Sequence, residues 1–244
     1  MKSNSINIVL QGKGGVGKSF LSSILAQYFL DFKKIKMSGA DTDPVNQSFA
    51  SIKRIGAAQI EILRDGAIIQ SKFDAIFEKI IAEQKTTFVI DNGASTFVPM
   101  MKYINDNDIV SIFDSLNRPV YIHTVIVGGQ SQTDTLQGLM SLYELITESS
   151  NVKLVIWLNE FQGSIEIPAG YSELVSDKTA AIITIHNRNS DAFNDDLEKL
   201  TKARMTNEEA QKSNEFGLMS KNRLNKVFTE VYLQLDDLFD PQSE

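Results

Sequence analysis

Four glycines and two lysines fall within eight residues near the start of the chain: Gly12, Lys13, Gly14, Gly15, Val16, Gly17, Lys18 and Ser19. Glycine lifts the steric limits on φ and ψ, so successive N–H groups of such a loop can turn inward and cradle an anion. The spacing G-x-x-x-x-G-K-[ST] places a lysine on the β- and γ-phosphates of a nucleoside triphosphate and the next hydroxyl on Mg2+. Lys18 and Ser19 stand at those positions, and Phe20 completes the candidate phosphate-binding segment as a helix begins, its N-terminus adding partial positive charge. Three acids are candidates to complete the site. Asp91 closes an apolar run and would hold Mg2+ or its bound water; an Asp capping a turn is the alternative. Asp41 and Asp43 flank Thr42 before Pro44, a pattern that equally fits a helix N-cap. In the chemical reading Asp43 orients an attacking water and Asp41 supports the metal's water shell, because phosphoryl transfer asks mainly for positioning and charge neutralisation.

The elements that must position these groups follow from periodicity. An apolar run at 6–10 and a helical pattern at 20–30 flank the glycine loop, the strand–loop–helix context its signature requires. Further strands are expected at 33–40, at 59–63 as a short edge strand, and at 86–91, 119–127, 152–159 and 180–186. Ile68, Ile69, Phe73, Ile76, Phe77 and Ile80 predict one amphipathic helix, and 96–117 another. Ser131 with Asp134 predicts a capping box for a helix through Ile146. From Asp191 the chain reads helical, with Leu224, Val227, Phe228, Val231, Leu235 and Leu238 as the buried stripe of a last helix. Strands alternating with helices predict an α/β fold: one domain over 1–244, with a doubly wound, mostly parallel sheet of about seven strands. Ligands of such sheets sit at the carboxyl ends of the strands, where all three acids fall.

Lys13 is more than binding requires. An ordinary loop of this type has no need of a lysine after its first glycine. Here the sequence resembles the deviant Walker A ATPases of the ParA/MinD type, whose K-G-G-x-G-K-[ST] pattern runs from Lys13 to Ser19. Asp41-Thr42-Asp43-Pro44 is similar to that family's D-x-D-P switch, and Asp91 to its Walker B acid. The resemblance implies binding and hydrolysis of Mg2+-ATP, weak without a partner, and an ATP-dependent homodimer in which Lys13 reaches the other copy's phosphates. It implies that Asp43 is the hydrolysis-linked acid, that residues 92–95 form a second switch, and that Asn159 reads adenine, although an Asn simply ending a strand fits equally well. More narrowly, 9–19, 41–46 and 157–159 resemble the TraL/StbB-type ATPases of conjugative plasmids, which implies plasmid maintenance, positioning or conjugative transfer with a DNA-binding or conjugation partner protein. Two departures stand out: Val45 replaces a glutamine and the second switch has no proline.

Composition narrows the rest. With no cysteine, disulfides, thiolate zinc sites and iron–sulfur clusters are excluded. A net charge of -7 argues against a basic coat for nucleic acid. A run of lysines and arginines at 199–226 reads as a solvated helix face before it reads as a non-specific DNA patch. No apolar run approaches the ~20 residues of a membrane span. Asp236, Asp237, Asp240 and Glu244 make the tail unfit as a basic membrane anchor. With no signal peptide in view, a cytoplasmic protein is expected. His123 and His186 are assigned to packing or satisfied polar roles. Two other readings share the glycine loop: a small-molecule ligase of the dethiobiotin-synthetase type, for which Lys13 would be superfluous, and a non-catalytic nucleotide-sensing adaptor.

Overall fold

The computed structural model describes residues 4–65 and 67–241. In chain order it contains β1 (Ile6–Val9), α1 (Lys18–Gln27), β2 (Met37–Asp41), β3 (Ala58–Gln59), β4 (Leu63–Arg64), β5 (Ala67–Ile68), α2 (Asp74–Ala82) and β6 (Thr87–Asp91). There follow α3 (Phe97–Asp106), α4 (Ile109–Ser115), β7 (Val120–Val127), α5 (Gln132–Ile146), β8 (Val152–Asn159), α6 (Tyr171–Leu174) and β9 (Thr179–Ile185). The chain finishes on α7 (Asp191–Ala203), α8 (Asn207–Lys212) and α9 (Leu218–Phe239).

Seven strands form one sheet in the order β3-β2-β6-β1-β7-β8-β9, and every pairing in it is parallel. Side chains alternate between its faces with period two. Ile6, Ile8, Phe88, Ile90, Val120 and Ile122 meet α2, α3, α4 and α5. Val89, Tyr121, Val125, Val155 and Trp157 meet α1, α7, α8 and α9 on the other face. Both faces are covered, which is why β1, β6 and β7 are buried along their whole length. The chain winds to one side of β1 first and to the other later, so β1 marks the point where the winding reverses. Register sets Val9 opposite Asp91 and Asp91 opposite Asp41, placing two of the acids level with the start of the glycine loop.

Four expectations are corrected. The edge strand is only Ala58–Gln59; Leu63 instead pairs with Ile68 in a separate antiparallel hairpin, so Ile68 and Ile69 precede the helix and α2 starts at Asp74. Asp65 takes a left-handed φ of 52° there, and Asp65-Gly66 is the dipeptide that tight hairpins favour. The helix expected over 96–117 is two helices, broken where Asp108 adopts a φ of 50°. Ser131 makes no side-chain cap on α5, because it ends the 3-10 turn Gly129–Ser131 with a helical backbone (φ -91°, ψ -2°), and Asp134 pairs with Lys13 instead. The last helical region is three helices; Arg204, at φ 54°, ends α7, and Thr206 with Glu209 forms the capping box of α8. The stripe of α9 holds from Leu224 to Leu235; Leu238 is only partly buried, and Tyr232 and Phe239 are buried in addition.

Candidate functional site

The glycine loop leaves β1 through Leu10 and Gln11, both fully buried, and enters α1 at Lys18. Gly15 (φ 73°) and Gly17 (φ 98°) take conformations that strain any L side chain. Gly12 faces Phe97, whose Cδ1 would lie 2.9 Å from an added Cβ, so the loop rests directly on the first residue of α3. On the opposite side Asn159, at the end of β8, donates from Nδ2 to the Val16 carbonyl at 3.0 Å, and Gln162 Nε2 donates to the Gly15 carbonyl at 2.7 Å. The Phe20 ring packs edge-on against Phe228 of α9, so Phe20 offers the loop its backbone N–H.

The lysines are placed differently. Lys18 is 7% exposed, and its Nζ donates to the Lys13 carbonyl at 2.7 Å. Burial lowers its pKa, while Asp91 and Asp43 pull it up. Lys13 extends outward instead: its Nζ lies 2.7 Å from Asp134 Oδ2 in the first turn of α5, with side-chain exposures of 38% and 51%.

Asp91 is buried at the base of the loop. Ser22 Oγ, one turn into α1, donates to its Oδ1 at 2.7 Å. Burial pushes the Asp91 carboxyl up to about 6; the Ser19 and Ser22 hydroxyls oppose the rise, the Asp41 charge adds to it and Lys18 opposes it. The second carboxylate oxygen, Oδ2 of Asp91, is buried and has no hydrogen-bond partner. A buried, unpaired carboxylate oxygen beside a serine hydroxyl is an acceptor for a hard cation or its water shell, so the residues fit a Mg2+ ion. Among the described residues no group of three or more acids and histidines could hold a metal unaided. An ion at this place depends on phosphate oxygens as further ligands.

Asp41 serves the loop after β2. Its Oδ1 accepts the Asp43 N–H at 3.0 Å and its Oδ2 the Ala50 N–H at 2.9 Å, and burial raises its pKa. Asp43 Oδ1 accepts the N–H groups of Val45 and Asn46, at 2.9 and 3.0 Å, in an Asx-type turn. The loops after β2 and β6 are joined: Thr42 Oγ1 donates to Asn92 Oδ1 at 2.8 Å, and a Cβ on Gly93 would lie 2.9 Å from the Asp43 Cα. Any shift of one loop therefore reaches the other. Every residue expected to touch nucleotide or metal thus lies on or against the glycine loop or at the ends of β2, β6 and β8; Asn159 reaches it through the loop backbone.

Gln11, Ser22, Thr135, Gly138, Asp134 and Gln162 were not foreseen as site residues. Gln11 Nε2 donates to Thr124 Oγ1 (3.2 Å), Val125 O (3.0 Å) and Thr135 O (3.1 Å), tying the loop to β7 and α5. Gly138 makes room for it, since a Cβ there would stand 2.3 Å from Gln11 Oε1. Ser22 was legible as the residue one turn beyond Ser19; the others meet the loop only through the fold. His123, fully buried, accepts from Trp157 Nε1 at Nδ1 and contacts Asn7 Oδ1 through Nε2; burial holds its pKa down at about 3. An apolar cavity of about 220 Å³ lined by Ile126, Leu139, Ile156 and Val175 shares no residue with the loop.

A seven-stranded parallel sheet covered by helices on both faces, with the glycine loop at its winding reversal, is the fold of the P-loop nucleoside triphosphatases. Solved structures agree: MinD of Aquifex aeolicus superposes with a TM-score of 0.52 at 13% identity, covering 95% of this chain and 96% of that one. The MinC:MinD complex from the same organism gives a TM-score of 0.53 at 15% identity, over 98% of this chain and 99% of that one. No protein-family model matches the sequence. Two Escherichia coli proteins named TraL are 34% and 33% identical to it over 237 and 238 residues, spanning 95% of this chain and 97% of each of theirs. The chain belongs to the TraL family.

Proposed function

We propose that this protein is an ATP-dependent dimerisation switch. The loop N–H groups and Lys18 bind the triphosphate, Lys18 leaving the Lys13 carbonyl to do so. Ser19 and Oδ2 of Asp91 would hold Mg2+, which would supply charge neutralisation for phosphoryl transfer. Asp43 orients the attacking water through Oδ2, because Oδ1 is committed to its own turn. Lys13 reaches the phosphates bound by a second copy. The contact between Gly93 and Asp43 transmits the state of one loop to the other, so that both order together and present a surface to a partner protein.

The observation that carries this reading is the second lysine. Lys18 already supplies the cation that one triphosphate needs within one chain, whereas the Lys13 side chain turns outward from the loop, 38% exposed and paired only with the surface carboxylate of Asp134, where another molecule has access to it. The setting supported by the TraL relationship is plasmid maintenance or conjugative transfer in the bacterial cytoplasm, with a DNA-binding or conjugation protein as partner. Among the described residues no helix is long and apolar enough to cross a membrane. Light scattering of wild type, Lys13→Ala and Lys18→Ala with ATP against ADP tests it. Wild type should dimerise with ATP alone, Lys13→Ala should bind ATP and stay monomeric, and Lys18→Ala should lose binding. Dimerisation of Lys13→Ala equal to wild type would overturn the trans role.

A further inference from the structure

We propose that Asp134 is a latch that parks Lys13 in the monomer and sets the threshold for pairing. The inference rests on Lys13 acting across a dimer. Asp134 is not a loose surface acid that happens to lie nearby. The first turn of α5 is anchored on several sides: Gln11 Nε2 donates to the Thr135 carbonyl, Thr135 Oγ1 accepts the Val127 N–H at 3.4 Å, and Gln132 exchanges two hydrogen bonds with the Glu166 backbone, at 2.6 and 3.0 Å. Gly138 lets α5 close onto Gln11. The carboxylate is therefore presented at a fixed place beside the loop, and it caps nothing in its own helix.

Lys13 cannot hold Asp134 and reach another copy's phosphates at once. Each of two copies must break its own Lys13–Asp134 pair before both lysines can cross. The separation is reversible, because Asp134 stays in the first turn of a helix, where a negative charge is favoured without a partner. A link to nucleotide is built in as well. The Lys13 carbonyl is the acceptor of Lys18 Nζ, so drawing Lys18 onto a triphosphate removes one of the two hydrogen bonds that hold the Lys13 backbone, the other being the 3.4 Å bond from its N–H to Gln11 Oε1. Both lysines are parked together, and occupation of the loop loosens the second by withdrawing the first.

Pairs this exposed change an equilibrium by about 1.4-fold to fivefold each. A dimer breaks two, so Asp134→Asn, nearly isosteric, should tighten the ATP-dependent dimer by about twofold to thirtyfold in dissociation constant. Glu144→Gln, the same charge change near the far end of α5, should not tighten it. Independently, acetylation of the Lys13 amine in the nucleotide-free protein, followed by peptide mass spectrometry, should be faster in Asp134→Asn than in wild type. An unchanged dimer constant, an equal shift in Glu144→Gln, or unchanged Lys13 acetylation would each overturn the latch while leaving dimerisation standing. If wild type fails to dimerise with ATP, the trans role of Lys13 fails, and the latch with it, whatever the acetylation shows.

Discussion

Gly138→Ala sets two effects of opposite sign against each other. In a helix interior this change ordinarily stabilises, because alanine exceeds glycine in helix propensity by about 1 kcal/mol. Gly138 is buried inside α5, where an added Cβ would stand 2.3 Å from Gln11 Oε1 and 2.9 Å from both Cδ and Nε2. The Gln11 side chain is flexible, but it is fully buried and holds four hydrogen bonds, three donated by Nε2 and one accepted by Oε1 from the Lys13 N–H, so it cannot move aside without losing at least one of them. Overpacking of this kind costs about 1–3 kcal/mol, and each hydrogen bond lost adds about 1 kcal/mol. With one of these bonds lost and the propensity gain set against it, the net is a loss of about 2 kcal/mol. At this chain length that lowers Tm by about 4–8 °C. Nucleotide affinity should fall with it, because Gln11 immediately precedes Gly12. Thermal unfolding followed by circular dichroism measures the first effect and nucleotide titration the second. Combining Gly138→Ala with Gln11→Ala should destabilise by less than the sum of the two single changes, since the truncated residue no longer meets the new methyl. A Tm for Gly138→Ala equal to or above wild type would refute the reasoning, showing that propensity wins and that Gln11 is not wedged in place.

Three further outcomes are expected. The Asp91 carboxyl titrates near 6 in the folded chain against an ordinary 3.8, so the folded state binds that proton more tightly; its contribution therefore makes the nucleotide-free protein more stable as pH falls from 7 through 6 towards 4, while Mg2+-dependent nucleotide binding weakens over the same range. Asp91→Asn should accordingly raise Tm at pH 7 and abolish the Mg2+ dependence of binding, and a lowered Tm would show that the buried charge is compensated. Asn159→Ala should weaken nucleotide binding about tenfold at a stability cost of about 1 kcal/mol, by freeing the Val16 carbonyl; calorimetry reading unchanged affinity would remove Asn159 from the loop's support. Asp43→Ala should bind ATP and persist as a dimer with hydrolysis reduced at least a hundredfold, so phosphate release at the wild-type rate would exclude Asp43 as the water-orienting group.

The order of strands and helices was legible because both faces of the sheet are covered, which leaves predominantly apolar runs such as 120–127 and 152–159. What failed was local and polar. The hairpin of Leu63–Arg64 and Ala67–Ile68 carries an isoleucine at a spacing that also fits the following helix, and only the Asp65-Gly66 dipeptide in the sequence separates the two readings. Asp108 breaks a helix by adopting a left-handed conformation, which Asp tolerates without announcing it in the pattern of its neighbours. The Ser131–Asp134 spacing is that of a capping box, yet a lysine 121 positions away takes the acid instead. Sequence spacing cannot see such competition.

The same distinction separates the two lysines. What Lys18 does is dictated by its own loop: glycines on either side, a helix beginning at its own position and a serine beside it are all within reach of a motif. What Lys13 does is decided by an α5 carboxylate whose position follows from Gln11, Thr135 and Gly138, none of which belongs to any motif. In the proposed switch the covalent spacing therefore specifies binding, and the packing of α5 against the loop specifies how readily the outward lysine is released. A relative could keep every residue of the glycine loop and still pair more or less readily through a change at position 134 or 138 alone. Conversely, a family member lacking an acid at the Asp134 position would retain its nucleotide site while losing the restraint on pairing, because the groups that hold phosphate and the group that holds Lys13 are carried by different elements of the fold.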